Sequence, residues 1–266
     1  MPRTSASIPK GGVSHPGYNF RHDDFGHHDV GHDDPRRRLI VALDVSAAPA
    51  AQKIVAAVGD SALTFKVGMQ LYTAVGPQVV RDLVESGRRV FLDLKYHDIP
   101  NTVGAAVAEA AKLGVTMLTV HASGGAKMLR AAAEAAKPYP GLTVLAVTVL
   151  TSMDAADLDQ IGVHNSMPES VLLLAKLALS NGCQGIVTSA HEAPSLRTQL
   201  GKEFAIVTPG IRPAGSSKGD QARIVTPAQA IAAGATHIVV GRPITEAADP
   251  AVQARAILQQ ITDRVS

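Results

Sequence analysis

From Leu39 to the C-terminus, short β-rich runs alternate with alanine-rich segments whose apolar positions recur at helical spacing. The predicted strands, eight in all, are Leu39–Asp44, Leu63–Gly68, Arg89–Lys95, Thr116–His121, Leu142–Leu150, Gly185–Ser189, Phe204–Thr208 and His237–Gly241. Between them the spacing predicts helices such as Pro77–Ser86, Val103–Leu113, Lys127–Lys137, Pro168–Ser180, Pro227–Ala233 and Pro250–Arg264. Several begin at proline, which loses no helical hydrogen bond in the first turn. Gly87, Gly114, Gly182 and Gly234 follow helical stretches, where a left-handed cap residue is favoured. Strand–helix alternation implies βαβ units and a parallel sheet. Eight such units in about 230 residues point to the α/β class and a single (β/α)8 TIM barrel, ahead of an open doubly wound sheet. Periodicity by itself leaves closure open.

Residues 1–35 differ in kind, being rich in Gly, Pro, Asp and His with no apolar period. They are expected to form a flexible N-terminal extension, with residues 36–266 as the barrel domain. His27, His28, Asp29, His32, Asp33 and Asp34 are donors of the type that bind divalent metals, but composition favours a solvated extension, since no rigid scaffold fixes their geometry.

Composition narrows the class. With 46% hydrophobic and 18% charged residues, the chain of 266 can bury a substantial core and is not disordered throughout. It has no apolar run of the ~18 residues that a spanning helix needs, and no basic start followed by an apolar stretch, so neither a membrane nor a secreted protein is expected. One cysteine, Cys183, cannot pair within the chain and fits a cytoplasmic setting. The net charge of +2 hides an uneven start: six basic and five acidic residues lie in the first 38, leaving nineteen against eighteen beyond. With no basic excess and no Trp, nucleic-acid binding is not expected.

The informative polar residues are those at strand C-termini, where barrels of this kind carry their sites. In the first strand Leu39, Val41 and Leu43 share the helix-facing side, which puts Asp44 with Ile40 and Ala42 on the other. The second strand repeats this, with Lys66 inward. In the third, Val90, Leu92 and Leu94 face the helices, leaving Asp93 and Lys95 inside, and Asp98 follows in the turn. Charges of alternating sign in a barrel mouth are poorly explained by stability, because buried ion pairs often do no better than apolar residues of the same volume. A salt-bridge network closing the barrel end is the plainer alternative. A lysine between carboxylates is expected to stay charged, which suits it to deliver a proton and unsuits it to Schiff-base attack.

The last two strand ends carry a second signal. The loop Pro209–Gln221 is long and Gly/Ser-rich and resembles a lid, and Gly241-Arg242-Pro243 pairs close backbone approach with a guanidinium suited to phosphate. His121 and Thr119 are read as hydrogen-bonded interior residues, Thr151 and Ser152 as turn residues able to offer hydroxyls, and Cys183 as packing.

Taken together, Ala42-Leu-Asp44, Lys66-Val-Gly68, Phe91-Leu-Asp-Leu-Lys-Tyr-His-Asp-Ile-Pro-Asn-Thr102, Val120-His-Ala-Ser-Gly-Gly125, Thr148-Val-Leu-Thr-Ser152, Thr208-Pro-Gly-Ile-Arg-Pro213, Gly219-Asp-Gln221 and Gly241-Arg-Pro243 resemble the orotidine 5'-phosphate decarboxylase family, in its bacterial branch. The resemblance runs from about Leu39 to the end and excludes the extension. It implies metal- and cofactor-free decarboxylation of orotidine 5'-phosphate to UMP in pyrimidine synthesis. Lys95 would protonate C6, Asp93 would lie against the substrate carboxylate, and Asp44 and Lys66 would hold the ribose, with Lys66 also bracing Asp93. Thr151 would contact the pyrimidine, and Arg212, Gln221, Gly241 and Arg242 would surround the phosphate. Asp98 and Thr102 would reach into the partner's site of a homodimer. A Mg-dependent keto-sugar phosphate decarboxylase sharing Asp-x-Lys-x-x-Asp, and a phosphate-binding barrel without catalysis, are the competing readings.

Overall fold

A strand apolar on both faces needs cover on both sides, and the β-runs here obtain it from a barrel interior on one face and helices on the other. The computed structural model describes residues 34–213 and 225–262. In it β1 (Leu39–Ala42), β2 (Thr64–Gly68), β3 (Arg89–Tyr96), β4 (Met117–His121), β5 (Thr143–Val147), β6 (Gly185–Val187), β7 (Ala205–Thr208) and β8 (His237–Val240) form a closed barrel in chain order. All neighbours are parallel, and β8 returns to β1 through Leu39↔Ile238, Ile40↔Val239 and Val41↔Val240. The side chain of Arg38 reinforces that seam by donating from Nε to the Thr236 carbonyl at 3.1 Å.

The helices are α1 (Pro35–Arg38), α2 (Ala48–Val58), α3 (Met69–Val75), α4 (Gln78–Glu85), α5 (Pro100–Lys112), α6 (Gly125–Ala136), α7 (Ala155–Gln160), α8 (Met167–Leu179), α9 (Ala193–Leu200), α10 (Pro227–Ala232), α11 (Arg242–Thr245) and α12 (Pro250–Thr262). Their buried faces follow the helical period: Val103, Val107, Ala110 and Ala111 in α5, and Met128, Leu129, Ala132, Ala133 and Ala136 in α6. Gly87, Gly114, Gly182 and Gly234 adopt φ of 78°, 81°, 93° and 106°, the left-handed turn that lets α4, α5, α8 and α10 stop and the next strand begin. No helix among the described residues is long and apolar enough to cross a membrane.

The predicted alternation of faces holds. Leu39, Val41, Leu43, Phe65, Val67, Val90 and Leu92 join the core between sheet and helices. Ile40, Ala42, Phe91, Met117, Leu145, Ala205, Val207 and Val239 form a separate core inside the barrel. β1, β5 and β6 end two or three residues sooner than predicted, β6 at Val187. β1 stops at Ala42, although the Leu43 N–H still donates to the Lys66 carbonyl at 3.0 Å. β5 stops at Val147, although the Thr148 N–H and hydroxyl both still donate to the Val187 carbonyl at 3.2 Å, and a turn closes where Met153 N–H meets Leu150 O at 3.0 Å. Cys183 is buried, as a packing role requires, and burial pushes its thiol up to about 12. The lid expectation falls largely on residues 214–224 and the metal-donor expectation largely on residues 1–33, both outside the described residues.

The interior leaves no slack at Gly185. A Cβ there would stand 2.7 Å from the Ala205 Cβ, the Ala205 carbonyl oxygen and Leu145 Cδ2. Gly185→Ala is therefore expected to force β6 and β7 apart and to cost roughly 1–3 kcal/mol, read as a lower denaturant midpoint at unchanged slope.

Candidate active site

Parallel closure brings the C-terminal ends of the strands onto one rim, so inward polar side chains far apart in sequence become neighbours. Asp44 lies two residues past β1, Lys66 in β2, and Asp93 and Lys95 in β3. They form one chain of ion pairs: Lys66 Nζ to Asp44 Oδ1 at 3.0 Å, Lys66 Nζ to Asp93 Oδ2 at 3.9 Å, and Lys95 Nζ to Asp93 Oδ1 at 2.8 Å. Side-chain exposure falls from 58% at Asp44 to 12% at Lys66 and 14% at Asp93, then rises to 24% at Lys95. The array is therefore open to solvent at Asp44 and enclosed at its centre.

The backbone is shaped to hold it. Lys95 has φ 53°, the one positive φ outside glycine among the described residues. Such a conformation costs on the order of 1–3 kcal/mol in a residue with a Cβ and persists only where surroundings impose it. Here a bulge imposes it: Leu92 pairs with Leu118 and Tyr96 with Val120, so the register shifts between them. Thr119 stands opposite the shift, fully buried, and its Oγ1 accepts the Lys95 N–H at 2.9 Å and donates to Asp93 Oδ1 at 3.0 Å. It is the interior hydrogen-bonding residue the sequence suggested, but its two partners were not legible, because the pattern of β3 carries no sign of the bulge.

Two glycines make room. A Cβ on Gly68 would lie 2.9 Å from Lys66 Nζ, and one on Gly241 would lie 3.4 Å from Asp44 Oδ2. Gly241, after β8, thus borders Asp44 after β1, linking the two ends of the barrel order.

Other expected residues spread around the rim. Arg212, buried, donates its N–H to the Val225 carbonyl at 3.0 Å beside the Ile211↔Val225 bridge. Arg242 is exposed at the start of α11. Thr151 is half-buried in the turn after β5. Gln221 lies outside the described residues. Asp98 and Thr102 are exposed, and Asp98 Oδ1 accepts the Ile99 N–H at 2.6 Å. Among the described residues the ion-pair chain runs through Asp44, Lys66, Asp93 and Lys95 and not through Asp98. Also among the described residues, no three His, Cys, Asp or Glu side chains gather as a metal site would need.

Beside the array, the rings of His97 and His121 lie 5.4 Å apart. Burial, then the neighbouring His97 and Lys95, hold His121 below the ordinary imidazole range, with Asp93 opposing.

The chain matches the family described as "Orotidine 5'-phosphate decarboxylase / HUMPS family" over residues 37–257. It is 50% identical to an orotidine 5'-phosphate decarboxylase of Idiomarina loihiensis over 226 residues, covering 84% of this chain and 97% of the relative. It is 53% identical to one of Halorhodospira halophila over 225 residues, covering 84% and 95%. Among solved structures, the orotidine 5'-phosphate decarboxylase of Lactobacillus acidophilus superposes with a TM-score of 0.77 at 39% identity, covering 85% of this chain and 99% of that one.

An imidazole that resists protonation in the fold binds a proton more readily once unfolded. Its folded value is depressed, so the stability it contributes is present above the unfolded value near 6.5 and is lost as pH falls below it. An NMR titration is expected to put the His121 midpoint below that of an unstructured histidine peptide. His121→Gln is expected to show a shallower loss of unfolding free energy below about pH 6.5 than the parent protein.

Proposed function

The chain belongs to the orotidine 5'-phosphate decarboxylase / HUMPS family and decarboxylates orotidine 5'-phosphate to UMP in pyrimidine biosynthesis, and on that premise we propose how its rim residues divide the work. The observation that carries the proposal is the sequence of alternating charges, enclosed at its centre, with Lys95 Nζ 2.8 Å from Asp93 Oδ1.

Loss of carbon dioxide from the substrate leaves an electron pair on C6 of the pyrimidine. The ring has no built-in sink in line with that orbital, so the barrier must be lowered by charge placed in advance. Lys95 is the group for this: its ammonium faces the developing carbanion and then gives C6 its proton. Asp93 lies against the departing carboxylate and aims Lys95 through their shared ion pair. Lys66 ties Asp93 to Asp44, and both hold the ribose hydroxyls, Asp44 from the solvent-exposed end. Thr151 contacts the pyrimidine, while Arg212, Gln221, Gly241 and Arg242 bind the 5'-phosphate. Phosphate binding remote from C6 supplies energy that holds the ring beside Asp93 and Lys95. No step in this scheme calls on a metal or an organic cofactor. The single buried thiol of Cys183 suits a cytoplasmic setting.

Asp98 and Thr102 act in the site of a second copy. In support, both are exposed on the turn and helix that follow β3, outside their own ion-pair chain, and the intervening Ile99 is 66% exposed beside them. Met69, 56% exposed after the neighbouring β2, extends the apolar surface available to a partner.

Loss of orotidine 5'-phosphate ultraviolet absorbance, followed in excess chelator, is expected to proceed at the full rate, and Lys95→Ala is expected to lower kcat at least about a thousandfold. A chelator-sensitive rate, or an active Lys95→Ala protein, would overturn the scheme. For the dimer, Asp98→Ala and Lys95→Ala proteins are each expected to be nearly inactive. Mixed with subunit exchange, they are expected to recover about a quarter of parental activity, since half the dimers would carry one intact site of two. No recovery from demonstrably mixed dimers would place Asp98 in its own protomer's site.

A further inference from the structure

The bulge in β3 leaves three residues, Asp93, Leu94 and Lys95, facing one residue of β4, because Leu92 pairs with Leu118 and Tyr96 with Val120. A backbone distorted in this way loses regular ladder partners and must find others. The Lys95 N–H finds one at Thr119 Oγ1, 2.9 Å away, a side-chain oxygen in place of a strand carbonyl. The same hydroxyl spends its single proton on Asp93 Oδ1 at 3.0 Å, the oxygen that also accepts from Lys95 Nζ at 2.8 Å. A hydroxyl has one proton and two lone pairs, so both bonds form at once. Thr119 is 0% exposed, so water has no access to replace it if it is lost.

The geometry points to Thr119 as a positioning residue for the decarboxylation. Its hydroxyl closes a ring through the backbone of Lys95, the side chain of Lys95 and the carboxylate of Asp93. One bond holds Lys95 in its left-handed conformation, which sets where the side chain leaves the strand. The other fixes which way Asp93 turns its carboxylate. Thr119 acts on the reaction only through those two residues, so the inference rests on their reading as the reacting pair. A packing role would need the shape of the side chain and not its oxygen, since valine has nearly the same volume.

Kinetics with orotidine 5'-phosphate and calorimetric binding of UMP separate the two roles. Thr119→Val is expected to lower kcat about ten- to a hundredfold, the range that loss of a buried hydrogen bond to a charged group implies. KM and UMP affinity are expected to stay within about threefold, and Thr119→Ser, which keeps the hydroxyl, to recover most of kcat. If the valine protein does not fold, Thr119→Ala against Thr119→Ser makes the same comparison. Parental kcat in Thr119→Val overturns the inference, as does a serine protein no better than valine, or a loss of UMP affinity as large as the loss of kcat. Lys95→Ala, run alongside, separates the levels. An active Thr119→Val beside an inactive Lys95→Ala sinks only the role of Thr119, whereas an active Lys95→Ala sinks the site reading and this inference with it.

Discussion

Asp93 lies between two ammonium groups, Lys95 Nζ at 2.8 Å and Lys66 Nζ at 3.9 Å, in a mouth where its side chain is only 14% exposed. A carboxylate so enclosed is costly unless compensated, and removing either partner would leave charge uncovered in a poorly hydrated place. Much of the local structure can be understood as meeting that requirement. The inner face of β2 supplies Lys66, the bulge in β3 turns Lys95 back towards Asp93, and buried Thr119 adds a second hydrogen bond to the one from Lys95. Asp44 completes the sequence of signs from the solvent side, so the enclosed centre is never a net charge alone.

The same requirement sets the space around the array. Gly68 and Gly241 are glycines where a Cβ would press on Lys66 Nζ or approach Asp44 Oδ2. Beneath lies the dry interior formed by Ile40, Phe91, Met117, Leu145, Val207 and Val239. Such a floor keeps water from screening the charges from below, which makes fixed dipoles and ions more effective than they would be in solvent. It is also rigid, because closure ties every strand to two neighbours and the outer helices pack each one from behind.

For a decarboxylation that must stabilise a carbanion by placed charge, this design has a physical logic. In the proposed scheme the groups are oriented before the substrate arrives, so little reorganisation is left to the transition state. Strain is part of the arrangement: the left-handed Lys95 is a local cost borne by the barrel and relieved by no local alternative. Asp44 and Arg242 face solvent, where the proposed scheme has the nucleotide met, while Asp93 and Lys95 stand where bond breaking is proposed.

The repeating pattern from Leu39 onward determined eight strands, their order with helices between, and which face of each strand turns inward. That information is local, because a period of two along a strand needs no knowledge of its neighbours. It was enough to put Asp44, Lys66, Asp93 and Lys95 on inner faces at strand ends, and the segment from Phe91 to Thr102 was specific enough to suggest a family. Tertiary structure alone decided the closure of β8 on β1, the meeting of Gly241 with Asp44, and the bulge that makes Lys95 left-handed. Each depends on a hydrogen bond or contact between residues distant in the chain. Thr119 shows the difference most clearly: in sequence it is an inward threonine of an ordinary strand, and only the register shift of β3 against β4 brings its hydroxyl to both Asp93 and Lys95.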